Sequence, residues 1–270
     1  MSTITLTFLY NMNRDLIFFE YKELTMSAPL TFTKKQVLYE LIEDCFSKVE
    51  SKDMQLLSDS IYQKILIHKI KFPLLEYTAS LLYDRIDEQK QILFCNCIET
   101  YRNIGGNVLL GILLQKRLPS HYEESIQKAT EYISNTNSWH ICDIVGERVF
   151  GHALLTQTER TLSVFKHLSL HNSHWVVRSI GAGAHFAIKR GLEKKAVQSL
   201  FQLLLSMGTA KNKEIKQGVG WAAKTTAKFH PDIIESFKEE INNKEKTGQW
   251  FRSKVAIGLK RNAYAKRNRS

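Results

Sequence analysis

The sequence predicts an all-α protein, a HEAT-like solenoid of stacked helix pairs (an α-α superhelix) with a basic concave surface. Apolar residues recur at three- and four-residue steps along most of the chain after Lys34. The second half repeats similar segments at intervals of roughly 36 to 40 residues, the period of helix-pair arrays. No alternating strand pattern is recognisable after Met26, so we expect no sheet.

The first half of the chain has the spacing of successive amphipathic helices. The segments concerned are VLYELIEDCFSKV, DSIYQKILIHKI, PLLEYTASLLYDRI and EQKQILFCNCIETYRNI. Pro73 stands where it can begin a helix, and so does Pro231 further along the chain. Asn-Ile-Gly-Gly at 103–106 and Lys-Arg-Leu-Pro at 116–119 are predicted to interrupt the helices.

Three segments of the second half share one pattern: RSIGAGAHFAIKR from Arg178, KQGVGWAAKTTAKF from Lys216, and RSKVAIGLKRN from Arg252. Each begins with a cation, continues with small residues and ends in basic residues. Small residues allow neighbouring helices to pack closely, and the repeated cation would line one edge of the array. We predict that Lys216, Arg252 and Lys254 contact the phosphates of an extended ligand such as a duplex.

Three parts of the chain are distinguished. Residues 1–30 are predicted to be a weakly ordered N-terminal extension, because acids interrupt their short apolar runs, unlike in a signal peptide. Residues 31–262 are predicted to form a single HEAT-like repeat domain, which we expect to work as a monomer. Residues 263–270 form a basic tail without any acid.

The charge balance indicates a polyanionic partner. The formal net charge is +11 and the pI is near 9.4. We interpret this charge as favouring nucleic acid over a membrane surface. No stretch is apolar and long enough to span a bilayer, so no membrane association is expected.

The cysteines are interpreted as reduced thiols of a cytoplasmic protein. Cys95 and Cys97 are separated by one residue, which matches no usual zinc spacing. His167, His171 and His174 lie close in sequence, but no thiol or carboxylate accompanies them, and we interpret them as a surface or loop cluster. We therefore expect neither a metal nor a cofactor.

Aromatic and charged residues recur at matching places in the repeats. Trp139 and Asp143 are four residues apart, which puts them on one face of a helix. Trp175 and Arg178 stand one repeat later, and Trp221 stands in the repeat after that. Each tryptophan taken alone fits an ordinary packing role. The joint pattern of Trp, Asp and Arg indicates a cleft that handles a cation.

The segments around these residues resemble a known enzyme family. SWHICDIVGER, HWVVRSIG and GVGWAAKTTAKFHPDII are similar to segments of the AlkC/AlkD-type DNA alkylation repair glycosylases, and the resemblance spans roughly Gln115 to Asn262. It implies HEAT-like repeats and excision of N3- and N7-alkylated purines from double-stranded DNA, without a need to flip the base. It places four residues at active-site positions: Trp139, Asp143, Arg178 and Trp221.

The residue types suit that chemistry. An alkylated purine is cationic and a good leaving group, so the enzyme must chiefly stabilise the oxocarbenium-like sugar. The carboxylate of Asp143 would do this electrostatically and could orient the attacking water. The indoles of Trp139 and Trp221 would contact the lesion and its deoxyribose, worth about 0.5 to 2 kcal/mol each. Arg178 would hold a backbone phosphate near the lesion.

Two features depart from the family pattern. His140 stands where an acidic or aromatic residue is expected, and Lys216-Gln217-Gly218 stands where the family more often has a basic pair and alanine. Gly lowers helix propensity by about 1 kcal/mol relative to Ala. These departures bear on substrate preference more than on the chemistry, and we interpret His140 as a partly exposed helix residue.

The competing hypothesis is a non-catalytic HEAT-repeat protein that binds DNA structure or a protein partner, since such arrays mostly serve as scaffolds. Asp143 separates the two hypotheses. A pure DNA binder gains nothing from a carboxylate aimed at a phosphate-lined cleft, because the carboxylate repels the ligand. The enzyme is therefore the favoured interpretation.

Overall fold

A computed structural model describes residues 28–48 and 53–267, and in them the protein has an all-α helical-repeat fold, as predicted. The first helices are α1 (Lys35–Lys48), α2 (Met54–Ile61), α3 (Phe72–Arg85), α4 (Gln91–Thr100), α5 (Ile104–Arg117) and α6 (Tyr122–Ser134). They are followed by α7 (Trp139–Val145), α8 (Gly151–Thr156), α9 (Thr158–Leu168), α10 (His174–Lys189), α11 (Lys194–Ser206), α12 (Lys213–Phe229), α13 (Pro231–Ser236), α14 (Lys238–Asn242) and α15 (Gln249–Arg267).

The helices pack in two rows, which gives the predicted alternation of helix pairs. Row A consists of α1, α3, α5, α7 with α8, α10, α12 and α15, each in contact with the next. Row B consists of α2, α4, α6, α9 and α11 and packs along row A. Hydrogen bonds between side chains tie row B together: Tyr132 donates to Asn96 at 2.8 Å, and the hydroxyls of Tyr122 and Thr161 are 2.9 Å apart. The apolar core lies between the two rows and contains fully buried phenylalanines, namely Phe94, Phe150, Phe165, Phe201 and Phe251.

The predicted helix boundaries follow from local chemistry. Pro73 lies in the first turn of α3, and Pro231 is the first residue of α13. Asn103 caps α5, since its side-chain oxygen accepts a hydrogen bond from the backbone N–H of Gly106 at 3.1 Å. The helix α5 ends at Arg117. Both predicted interruptions therefore coincide with helix ends.

The prediction of no strand is wrong at one place. Residues Thr31–Phe32 (β1) and Lys69–Ile70 (β2) pair in parallel, and the backbone N–H of Lys69 also donates to the carbonyl of Leu30 at 2.8 Å. Two residues are too few to show an alternating pattern, so the sequence carries no signal for this pair. Leu30 belongs to the predicted N-terminal extension, of which residues 1–27 lie outside the described residues.

The last helix runs into the segment predicted as a basic tail, and the predicted domain division stays a prediction. The helix α15 continues to Arg267, beyond the predicted start of the basic tail at residue 263. None of the helices in the described part of the chain is long and apolar enough to cross a membrane.

The small residues of row A bring neighbouring helices into backbone contact, as the repeat pattern predicts. A Cβ atom added to Gly181 in α10 would lie 2.0 Å from the carbonyl oxygen of Gly218 in α12. A Cβ atom added to Gly258 in α15 would lie 2.3 Å from the carbonyl oxygen of Lys224. Since real contacts of this kind do not occur, only glycine allows α10, α12 and α15 to approach so closely.

Candidate active site

The first functional side chains stand at the start of α7. Ser138 precedes the helix, and its hydroxyl accepts a hydrogen bond from the backbone N–H of His140 at 3.3 Å. Trp139 is the first residue of α7 and is 50% exposed, and its ring centroid lies 3.7 Å from that of His140. His140 is itself partly exposed, as predicted. The helical turn brings Asp143 to the same side as Trp139.

Asp143, Arg178 and Glu214 form one cluster of charged side chains across α7, α10 and α12. The two oxygens of Asp143 accept hydrogen bonds from Nε and Nη2 of Arg178 at 2.9 and 2.7 Å. The remaining terminal nitrogen of Arg178, Nη1, donates to Glu214 at 2.7 Å. We call these three residues the carboxylate–arginine triad. Because the guanidinium engages Asp143 through two parallel hydrogen bonds, the orientation of this carboxylate is fixed.

The triad carries more negative than positive charge. One guanidinium faces two carboxylates, so the cluster has a net charge of −1 when all three groups are ionised. The side chain of Arg178 is only 9% exposed, and that of Asp143 only 15%. Burial opposes the charge of Arg178, but the hydrogen bonds to Asp143 and Glu214 raise its pKa above the ordinary value. A net negative, poorly hydrated cluster attracts a cation and repels a phosphate.

The structure gives Arg178 a different partner from the expected phosphate. Three of its five N–H donors are bound to carboxylates, and the residue is 7% exposed. Its Cζ atom also lies 5.8 Å from the ring centroid of Trp175. The phosphate contact stays a prediction, whereas the geometry shows Arg178 as the residue that holds Asp143.

Trp221 lies in α12, seven residues after Glu214, and forms a second aromatic surface. The imidazole of His185 stacks on its indole, with ring centroids 4.1 Å apart and an interplanar angle of 29°. The Thr225 hydroxyl lies 2.7 Å from Nδ1 of His185 and donates to the carbonyl of Trp221 at 2.9 Å. A hydroxyl has a single proton, so Nδ1 of His185 is the donor to Thr225 and Nε2 is an acceptor.

His185 is a neutral ring at physiological pH. Its pKa is lowered to about 4 by burial and by the nearby cations Lys189, Lys224 and Arg190. The ring therefore adds an uncharged aromatic surface to Trp221. Within the described residues, neither Trp139 nor Trp221 forms a hydrogen bond to the triad; each instead lies against a histidine ring.

The predicted phosphate-binding cations differ in their surroundings. Lys216 and Lys254 form no ion pair with any residue that the structure describes. The guanidinium of Arg252 turns back to the preceding loop, where it donates to the carbonyl of Thr247 and, at 3.1 Å, to its hydroxyl. Its contact with phosphate stays a prediction; in the structure this guanidinium is bound to the loop before α15.

Two further cations, Lys224 and Arg261, lie near Lys254 and were not among the three residues predicted to contact phosphates. Burial and the positive charges of Arg261 and Lys254 lower the pKa of Lys224. Like charges gathered without an acid to balance them favour an anionic ligand. The basic ends of the repeated segments, which contain Lys224 and Arg261, are the sequence signal that points to this surface.

Glu214 is the member of the triad that the sequence prediction missed. Asp143 and Arg178 are 35 residues apart, and Arg178 and Glu214 are 36 apart. A search for charged residues at one repeat spacing from Arg178 finds Glu214. In the described part of the chain, no group of three or more His, Cys, Asp and Glu residues is placed to hold a metal ion.

The fold and the site define a class of protein. It is a helical-repeat protein in which a largely buried triad of two carboxylates and one guanidinium joins α7, α10 and α12. The same row of helices carries Trp139 on α7, Trp221 and Lys216 on α12, and Lys254 on α15. The family model of the DNA alkylation repair enzymes matches residues 107–253, and the chain belongs to this family. The predicted resemblance is thereby confirmed, and it supports a role in DNA repair with DNA as the partner. No curated protein and no solved structure gives a significant match to the chain.

Proposed function

We propose that the protein is a DNA glycosylase that hydrolyses the N-glycosidic bond of N3- or N7-alkylated purines in duplex DNA, without flipping the base. The observation that carries the proposal is the net negative triad of Asp143, Arg178 and Glu214 in a protein of net charge +11. The matched family model supports the enzyme class and the kind of damage.

The triad suits the charge that develops during this reaction. As the bond from C1′ to the cationic purine breaks, positive charge moves from the base to the sugar. A carboxylate held in place before the reaction stabilises this charge without reorganising, and such groups typically contribute about 10²- to 10³-fold in rate. Arg178 keeps Asp143 fixed, and the half-exposed indole of Trp139 offers a π face to the cationic lesion.

The unpaired cations supply the affinity for duplex DNA. Lys216 and Lys254, joined by Lys224 and Arg261, would bind phosphates on either side of the lesion. Each phosphate contact releases counterions, so binding should weaken steeply as salt rises. Arg252 would join them only by leaving Thr247.

The test uses duplex DNA that contains one 7-methylguanine or one 3-methyladenine, with release of the free base as the measurement. We expect release well above the spontaneous rate. Asp143→Asn should reduce the rate by about 10²-fold or more, while DNA affinity stays equal or rises because a repelling charge is removed. No release by the wild-type protein from either lesion would refute the glycosylase function.

One observation favours a second function, a non-catalytic DNA-binding protein. The triad joins three helices of row A, so its carboxylates could serve the fold alone. Removing one partner of a buried ion pair typically costs about 3 to 5 kcal/mol. If Asp143→Asn lowers stability and DNA binding together, and the wild-type protein releases no base, this second function is the better account.

A further inference from the structure

A second carboxylate, Glu147, lies near Asp143 and interacts with it electrostatically. It lies in a π-helical segment, Gly146–Phe150, that joins α7 to α8. The residue before it, Gly146, faces α10, because a Cβ atom there would meet Ser179 at 3.1 Å. The residue after it, Arg148, faces α5, where its aliphatic part covers Gly111.

Glu147 itself is only partly buried, so part of its side chain reaches solvent. Val145, on the opposite side of the helix, is fully buried. Asp143 is four residues beyond Trp139 within α7, so these two side chains share one face of that helix. Glu147 follows in the π-helical segment, close enough for the negative charge of Asp143 to act on it.

Glu147 has no partner among the described residues. It is partly buried, yet it accepts no hydrogen bond and forms no ion pair there. The neighbouring Arg148 donates instead to Glu76 at 2.6 Å. A partly buried carboxylate without a partner is costly, and π-helical segments are frequent at functional sites. The arrangement is therefore unlike that of a residue that serves the fold.

The surroundings of Glu147 make it a better base than a bound carboxylate. Burial raises its pKa, and the negative charge of Asp143 acts in the same direction. Arg148, Lys189 and Arg190 act in the opposite direction. Asp143 differs, because both of its oxygens accept hydrogen bonds from Arg178. Two carboxylates in unlike environments can take different roles in one reaction.

We propose that Glu147 is a second catalytic carboxylate, the general base for the water that attacks the sugar. The proposal rests on the glycosylase function proposed above. Asp143 would stabilise the charge on the sugar, and Glu147 would take the proton.

The step balances in atoms and electrons. The bond between C1′ and the purine nitrogen breaks, and its electron pair neutralises the cationic base, which leaves. The water oxygen forms a bond to C1′, and one water proton passes to an oxygen of Glu147. The products are the free alkylated purine and an abasic site with a hydroxyl at C1′, and Glu147 then releases its proton to solvent.

The experiment measures single-turnover release of 7-methylguanine from duplex DNA by the wild-type protein, Glu147→Gln and Glu147→Asp over a series of pH values. Glu159→Gln, a change at an exposed glutamate on α9 in row B, is the matched control. We expect Glu147→Gln to be about 10²-fold slower, the lower end for general base catalysis, and Glu147→Asp to recover part of the rate. The wild-type rate should rise with pH as Glu147 loses its proton, and Glu147→Gln should lose this rise. DNA affinity and unfolding temperature should remain at least at the wild-type level.

The outcomes separate the two proposals. If the wild-type protein releases base and Glu147→Gln does so at the same rate, Glu147 is not the base and the glycosylase function stands. A slower Glu147→Gln that keeps the wild-type pH profile would also overturn the role of Glu147. If the wild-type protein releases no base, the glycosylase function fails and the role of Glu147 fails with it.

Discussion

Gly218 offers a sharp test of how the helices position the site. A Cβ atom at this residue would lie 2.3 Å from the carbonyl oxygen of Arg178 and 2.9 Å from its Cα atom. These are backbone atoms of α10, which cannot rotate away. In the same helix, a Cβ atom at Gly220 would lie 2.9 Å from Cγ of the Lys254 side chain, which can move.

The two replacements are expected to change the stability of the protein in opposite directions. Replacing either glycine by alanine gains about 1 kcal/mol of helix propensity. At Gly218 the helices must separate by about 1 Å to reach van der Waals contact, and overpacking of this kind typically costs 1 to 3 kcal/mol, occasionally more. We expect Gly218→Ala to lose about 2 kcal/mol of stability, or about 4 to 8 °C of unfolding temperature. Gly220→Ala should be neutral or up to about 1 kcal/mol more stable.

The assay is thermal and denaturant unfolding of both variants, followed by base release and DNA binding. Because the contact is with the backbone of Arg178, Gly218→Ala should also displace this side chain from Asp143 and slow excision beyond the loss of folded protein. Equal or higher stability of Gly218→Ala would refute the reasoning from close backbone approach. So would a Gly220→Ala variant that loses as much stability as Gly218→Ala.

Two further predictions concern titratable groups. The pKa of His185 is about 4 in the folded protein, against 6.5 for a histidine in an unfolded chain. Between pH 6.5 and pH 4 the unfolded chain therefore binds a proton at His185 that the folded protein does not bind. The free energy of unfolding should thus be highest above pH 6.5 and fall toward pH 4, and it should fall less in His185→Gln. Equal slopes of unfolding free energy against pH in the two proteins would contradict this. Burial raises the pKa of Cys95 to about 12 and that of Cys142 well above its usual value. A thiol reagent at pH 8 should therefore label these two only after unfolding, and their rapid labelling in the native protein would contradict the packing described.

The helices and their repeat could be predicted because both produce periodic patterns in the sequence. Apolar spacing follows the helical period, and equivalent residues return once per helix pair. The same regularity placed Trp139 and Asp143 on one face and put Arg178 one repeat later. Asp143 and Arg178, which the repeat spacing relates in the sequence, form an ion pair in the structure.

The pairing of Arg178 with a second carboxylate could not be predicted by the same route. It depends on how α12 is placed against α10, where a Cβ atom at Gly218 would meet the backbone of Arg178. The sequence places Gly218 among the small residues that allow close packing, but it does not specify which atoms of α10 the glycine meets. Arg252 is a similar case, because its partner Thr247 lies in an irregular loop whose path no periodic pattern encodes.

The distribution of charge explains how one protein can attract DNA and still favour a cation. The net charge of +11 acts over the whole molecule, whereas the triad and Glu147 act over a few ångströms. The carboxylates of the triad are already engaged by Arg178, which offsets part of their repulsion of phosphates held by Lys224 and Lys254. A sugar placed beside Asp143 would feel them strongly, and more so as its positive charge grows. The carboxylates would then cost little in binding the duplex and act mainly in the transition state, which is the condition for raising the rate rather than the affinity.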